Sequence, residues 1–252
     1  MQRYFIAPEQ FAESRSRITG EDAHHILNVM RAKAGEQLIV SDGLGREAIA
    51  TITALSKAEV TVEVGERRDA LSEPKLAITV AQAMPKGDKM ETVIQKGTEI
   101  GAGRFIPFMS ERTIVQYDAK KEGKRLERWT KIAKEAAEQA HRGRIPAIEP
   151  VRSWKGLLQT VSSFDAVFLC YEKETNLELR AQLNRLKANQ GNGTVSVMVV
   201  IGPEGGFSEK EIEEAEAAGC RTISLGKRIL RTETAALVAL SCILYEYGEI
   251  GG

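Results

Sequence analysis

The chain has little from which a disulfide framework, a metal centre or a membrane span could be built. Its 252 residues include three cysteines, Cys170, Cys220 and Cys242, an odd number with no CxxC pair. That excludes a disulfide scaffold and a structural zinc site, and each cysteine is expected as a small buried hydrophobe. The three histidines are His24 beside His25 and a solitary His141, which is not a metal-ligand spacing. No apolar run is long enough to cross a bilayer. The opening MQRYFIAPEQ lacks the apolar core and small-residue cleavage site of an export signal, so the expected compartment is the cytoplasm. Net charge is also missing: 35 Lys and Arg balance 35 Asp and Glu. A nucleic-acid partner must therefore be argued from local patches.

Familiar catalytic signatures are missing as well. There is no GxGxxG with an acid about 20 positions on, no GxxxxGK[ST] and no GxSxG, which argues against a dinucleotide fold, a P-loop and a triad hydrolase. What remains is an ordinary globular composition, 42% apolar, with length for one large domain or a large and a small one.

Residues from about 35 to 66 read as short strands, EQLIVSDG, GREAIATITAL and AEVTVEVGE, with Val60, Val62 and Val64 alternating with polar neighbours. EDAHHILNVMRAK before them reads as a short helix. The domain boundary is expected near residue 73, giving domains 1–72 and 73–252. Beyond it, strands KLAITVAQA, RFIPF, AVFLCY, TVSVMVVIG and RTISLG alternate with helices KMETVIQKGTEIG, KRLERWTKIAKEAAEQA, NLELRAQLNRLKA, SEKEIEEAEAAG and TETAALVALSCILYEY. That alternation predicts an α/β domain with a parallel sheet. Asp88 with Glu91 and Ser208 with Glu211 have capping-box spacing. The last helix is apolar around much of its circumference, which suits burial against its own sheet on one side and a second subunit on the other. Between Lys120 and Arg144 nine Lys or Arg stand against four Glu, a run that is either a solvated helix face or a phosphate-binding one.

Two loops carry the chemistry. IGPEGGFSEKE, residues 201 to 211, has glycines that permit unusual backbone angles just before a helix start, leaving amides free to face a ligand. SLGKRILRTETA follows the next strand and sets Gly226 beside Lys227, Arg228 and Arg231. Loops at the carboxyl ends of adjacent strands form a crevice of nucleotide-binding shape.

GPEGGFSEKE and LGKRILRTETA together closely resemble the bacterial 16S ribosomal RNA (uracil-N3)-methyltransferases of the SPOUT class. The likeness extends through RYF, HHILNVMRAKAGEQ, SDGLG, KGDKMETVIQKGTEIG, IPFMSERTIV and EAAEQAHRGRIP, with Ala140-His141 and Thr113 as modest departures. The resemblance implies an N-terminal PUA-like β-barrel that helps hold RNA. It also implies a C-terminal SPOUT domain with a deep trefoil knot, acting as a homodimer without a metal. It implies methyl transfer from S-adenosylmethionine to N3 of a uridine at position 1498 of 16S rRNA in the small ribosomal subunit. The donor pocket it implies consists of Leu169, Cys170, Tyr171, Ile201, Gly202, Gly206, Leu225, Gly226, Ile229 and Leu230.

Removing the N3 proton leaves charge on the flanking carbonyls, and Arg231, then Arg228, are candidates to stabilise it. Glu233 is a candidate to orient an arginine or take a proton. Arg3, Arg15, Arg17, Arg31, Arg125, Arg128, Arg142 and Arg144 are candidates to contact RNA phosphates. The alternatives are a non-catalytic structured-RNA-binding protein and a related methyltransferase acting on another rRNA or tRNA site.

Overall fold

The computed structural model describes residues 1–115, 122–174, 179–188 and 194–251. The chain divides into two compact units, residues 1–73 with 134–145, and residues 74–133 with 146–252.

The first unit is a five-stranded sheet of β1 (Arg3–Phe5), β2 (Arg15–Thr19), β3 (Gln37–Ser41), β4 (Arg46–Leu55) and β5 (Glu59–Asp69), in the order β1-β3-β4-β5-β2. All its pairings are antiparallel except β1 with β3. Helix α1 (Pro8–Ala12) precedes β2, and α2 (Gly20–His24) runs into a π-helical turn over His25–Val29 where the sequence suggests one continuous helix. Period-2 patterning places Val60, Val62 and Val64 in a core with Phe11, Ile26, Val40 and Ile52.

Residues 134–145 belong to this unit although the sequence reading assigns them to the second domain. The reason is polar. Arg142 donates to Glu73 through Nη2 at 2.8 Å and Nε at 3.3 Å, while Glu73 Oε1 also accepts from the N–H groups of Gly143 and Arg144. Lys134 is 2.6 Å from Asp22. His141, one of the departures, sits at φ 56°, the left-handed region where glycine is at ease.

The second unit is a sheet ordered β12-β10-β11-β6-β7-β8, with β9 also on β7. Its strands are β6 (Ala77–Ala83), β7 (Arg104–Met109), β8 (Ala147–Ile148), β9 (Arg152–Ser153), β10 (Ala166–Cys170), β11 (Ser196–Ile201) and β12 (Arg221–Ile223), and every pairing is parallel. The crossovers carry α3 (Lys89–Ile100), α4 (Glu122–Gln139), α5 (Trp154–Leu158), α6 (Leu179–Ala188) and α7 (Glu209–Ala217), and α8 (Thr232–Glu246) ends the fold. Residues 176–178 of the expected helix NLELRAQLNRLKA lie outside the described residues. On α3, the residues at helical spacing are Met90, Val93, Ile94, Gly97 and Ile100; the first four are buried and Ile100 is half-buried, and a Cβ at Gly97 would stand 2.9 Å from the Phe105 ring. Helix α8 buries Ala236, Ala239, Leu240, Ile243 and Leu244 against neighbours that include α3, β6 and β11. Its other side leaves Tyr245 exposed, and Cys242 too is exposed where a buried cysteine was expected.

The fold class is corrected accordingly. Strand order and register give an α/β domain with a parallel sheet and a second unit built on a five-stranded, mainly antiparallel sheet, and the expected SPOUT class with its deep trefoil knot does not stand. Threading is a global property of the chain path, and neither a hydrophobic period nor a motif carries it.

Candidate active site

The carboxyl ends of β10, β11 and β12 surround a cavity of about 550 Å³, a size typical of small-molecule sites. Its walls are the end of β10 with Cys170, Tyr171 and Glu172, the loop from Ile201 to Phe207, and the loop from Ser224 through Thr232; Lys89 and Ala235 complete it. All the expected donor residues except Leu169 line it. Leu169 is fully buried in the core beneath, because successive residues of a strand face opposite sides.

The first loop is anchored at both ends. Phe207 is buried and stacks on Phe108 at 6.5 Å between ring centroids, with Trp154 5.5 Å from it; such aromatic pairs contribute about 0.5–1.5 kcal/mol beyond their area. Trp154 Nε1 donates to Glu214 Oε2 at 2.9 Å, which ties this cluster to α7. Ser208 and Glu211 form the capping box that their spacing predicts. The same buried Glu211 carboxylate accepts the N–H of Glu111, and Ser208 Oγ donates to Glu111 Oε2. Arg112 donates to the Gly205 carbonyl at 3.0 Å. The IPFMSER segment is thus a brace for the glycine loop. Its departure, Thr113, accepts from Ser110 N–H at 3.0 Å through the hydroxyl that a serine would also offer. Asp88, by contrast, forms no side-chain cap on α3.

Glycine is required at two points in the loops. Gly206 has φ 66° and Gly226 φ 107°, angles that side-chain-bearing residues rarely adopt. Thr232 Oγ1 donates to the Gly202 carbonyl at 2.7 Å and accepts from Gln82 Nε2 at 2.8 Å, so β6, the first loop and the start of α8 are locked together. Burial pushes the Cys170 thiol up to about 12, with the charge of Cys242 adding to it; Cys170 therefore lines the cavity as a neutral, unreactive group.

Arg228 and Arg231 are exposed and line the cavity; Glu233 is not part of its lining, but its Oε2 lies 3.9 Å from cavity-lining Lys89. Lys89 and Glu204 are the charged pair among the lining residues that the sequence did not single out. The signal available was the PKGDK turn at the carboxyl end of β6, a position where parallel sheets place ligands.

The arginines expected on RNA divide. In the first unit Arg15, Arg17, Arg31 and Arg144 are exposed. Arg3 and Arg142 are corrected: both are about 95% buried, Arg3 in an ion pair with Glu47 at 2.5 Å and Arg142 on Glu73, so they are internal struts and not phosphate contacts. In the second unit Arg128 is exposed and paired with Glu91 at 2.7 Å, and Arg125 is half-buried.

Residues 72–244 match the RNA methyltransferase domain family, and residues 18–65 match the RNA methyltransferase PUA domain family. These matches are the finding on which an RNA methyltransferase domain with a PUA domain replaces the SPOUT-knot class. The chain is 43% identical over 249 residues to the ribosomal RNA small subunit methyltransferase E of Bacillus subtilis, covering 98% of this chain and 97% of that one. It is 35% identical to the Synechocystis protein of the same name, covering 96% and 76%. A crystal structure of a ribosomal RNA small subunit methyltransferase E from Neisseria gonorrhoeae bound to S-adenosyl methionine is similar at a TM-score of 0.83 and 29% identity, over 97% of each chain.

Proposed function

The chain belongs to the ribosomal RNA small subunit methyltransferase E family, and from that membership we propose that it methylates N3 of one uridine of 16S rRNA, with S-adenosylmethionine as donor. The observation that carries this reading to the present chain is the cavity between two glycine loops at the ends of parallel strands.

The residues present fit the donor. Ile201, Leu225, Ile229 and Leu230 offer an apolar slot for an adenine ring, and the backbone around Gly202, Gly206 and Gly226 supplies amides and carbonyls for its edge. Cys170 and Tyr171 close the side at β10, over a floor supported by Leu169. When bound, S-adenosylmethionine supplies a methyl group made electrophilic by a positively charged sulfur. Arg231, with Arg228 as the second candidate, stabilises the negative charge that spreads onto the uracil carbonyls as N3 loses its proton. Arg15, Arg17, Arg31 and Arg144 of residues 1–72 and 134–145, together with Arg125 and Arg128, contact phosphates and fix register while RNA shape selects the site.

Among the described residues no helix is long and apolar enough to cross a membrane, and the proposed place of work is the cytoplasm, where small subunits are. A homodimer is proposed because α8 and the loop before it present exposed apolar residues, Tyr245 at 64% and Ile229 at 90% exposure. Light scattering of the active protein at assay concentration is expected to give twice the chain mass; active monomer alone contradicts the dimer.

Donor binding is tested at Gly206. A valine there enters the left-handed region at a cost of about 1–2 kcal/mol, and its Cβ meets Glu172 Oε1 at 3.0 Å. The expected result for Gly206→Val is a donor affinity about tenfold weaker by calorimetry; an unchanged affinity would remove this loop from the donor site. The acceptor is tested by offering labelled donor with small subunits, large subunits and tRNA, and label is expected in small subunits alone.

A further inference from the structure

Lys89 and Glu204 line the cavity, and directly behind Lys89 stands a carboxylate, Glu233, whose bonding is incomplete. Lys89, the first residue of α3, donates to Glu204 Oε1 at 2.8 Å and lies 3.9 Å from Glu233 Oε2. The same Glu204 oxygen accepts the N–H of Lys86 at 3.1 Å. Burial alone would raise the Glu204 carboxyl, but the Lys89 bond, the backbone donors and the Lys89 charge outweigh it and hold the group below its ordinary range. Glu204 is thus a fixed anchor for the ammonium.

That anchor uses one of the three ammonium donors, and 3.9 Å to Glu233 is an ion-pair distance too long for a hydrogen bond. Glu233 Oε2 is buried yet accepts no hydrogen bond from the described residues, a condition that disfavours the site until a donor arrives. Arg231, two residues earlier and exposed, lines the same cavity and brings further donors.

We propose, resting on the functional reading above, that Lys89, Glu233 and Arg231 read the imide edge of uracil as donor, acceptor and donor, with Glu233 taking the N3 proton. The uracil edge presents a carbonyl, the N3–H and a second carbonyl, which is the complementary order. Cytosine presents a bare N3 lone pair to the Glu233 oxygen and an amino group to a cation, so both contacts turn repulsive; the same groups therefore select the base. In the reaction the N3–H bond breaks, its electron pair stays on N3 and its proton passes to Glu233 Oε2. The N3–CH3 bond then forms as the S–CH3 bond of the donor breaks, the sulfur becomes a neutral thioether, and the proton on Glu233 returns to solvent.

The test uses the full chain with Glu233→Gln, Lys89→Met and Lys89→Arg. Calorimetry with donor alone comes first, then single-turnover methyl transfer to small subunits lacking the modification, from neutral to alkaline pH. Donor affinity is expected to stay within about threefold of wild type for all three, since none of the proposed contacts is to the donor. Glu233→Gln is expected to lower the rate about a hundredfold at neutral pH, with the deficit shrinking as pH rises because hydroxide takes the N3 proton instead. Lys89→Met is expected to lose about tenfold, and Lys89→Arg to recover most of it.

A Glu233→Gln deficit that is constant with pH, wild-type rates in both variants, or a loss of donor affinity equal to the loss of rate overturns the proposal; the last outcome would make Lys89 a strut for the loop. Failure of the functional reading looks different: the wild-type chain itself would then label no uridine.

Discussion

Replacing Arg231 with methionine is expected to lower kcat by about 10²–10³ while leaving the donor affinity near wild type. Arg231 is the N-cap residue of α8, in extended geometry at φ −65° and ψ 152°, so its side chain leaves the helix axis where the cavity opens. The next residue, Thr232, is pinned to the Gly202 carbonyl and to Gln82, which fixes the base of the arginine although its tip is exposed. A guanidinium so placed gains most when the uracil carbonyls take on charge, and gains little in the ground state. Removing it therefore lowers kcat more than it raises KM. Rapid-quench kinetics on small subunits separate the two. An equal loss of donor binding would place Arg231 on the donor, and an unchanged kcat would remove it from the chemistry.

Arg142→Met is expected to destabilise the protein by about 3–5 kcal/mol, the range for breaking a buried pair by removing one partner. The Arg142 side chain is 4% exposed, and its departure leaves the Glu73 carboxylate, at 15% exposure, with the backbone N–H groups of Gly143 and Arg144 as its hydrogen-bond donors among the described residues. The Arg142 carbonyl also receives Arg3 Nη1 at 3.1 Å, so a second buried cation is disturbed. Denaturant unfolding of wild type, Arg142→Met, Glu73→Gln and the double variant measures the coupling. A cost below about 1 kcal/mol, the value of an exposed pair, would contradict the burial argument and return Arg142 to the surface set.

Much of this architecture is legible in the sequence because it rests on local periods. Val60, Val62 and Val64 alternate and are buried; Met90, Val93 and Ile94 recur at helical spacing and are buried. The Ser208–Glu211 box forms, since both residues stand on a fixed turn after Phe207. Asp88 and Glu91 have the same spacing, yet Asp88 sits at φ −93° and ψ 11° and makes no side-chain cap; spacing alone does not set the angle of chain entry.

What was not legible depends on contacts between distant residues. Nothing in the helical stripe of α4 says that its end and the residues after it pack with the first unit, because the deciding contacts run from Lys134 to Asp22 and from Arg142 to Glu73. Arg3 and Arg142 read as surface arginines for the same reason. The glycine loops were legible because a left-handed turn selects glycine at Gly206 and Gly226. Lys89 was not, because its partners Glu204 and Glu233 lie more than a hundred residues away.

The most direct test of the account is transfer of labelled methyl from S-adenosylmethionine to small ribosomal subunits lacking the modification, followed by nucleoside mass spectrometry and mapping of the labelled site. The label is expected in 3-methyluridine, at one position of 16S rRNA, and its rate of appearance is expected to fall by about 10²–10³ with Arg231→Met while donor binding persists. Label in a ribose-methylated nucleoside or in another base, or donor binding without any labelled uridine, would contradict it.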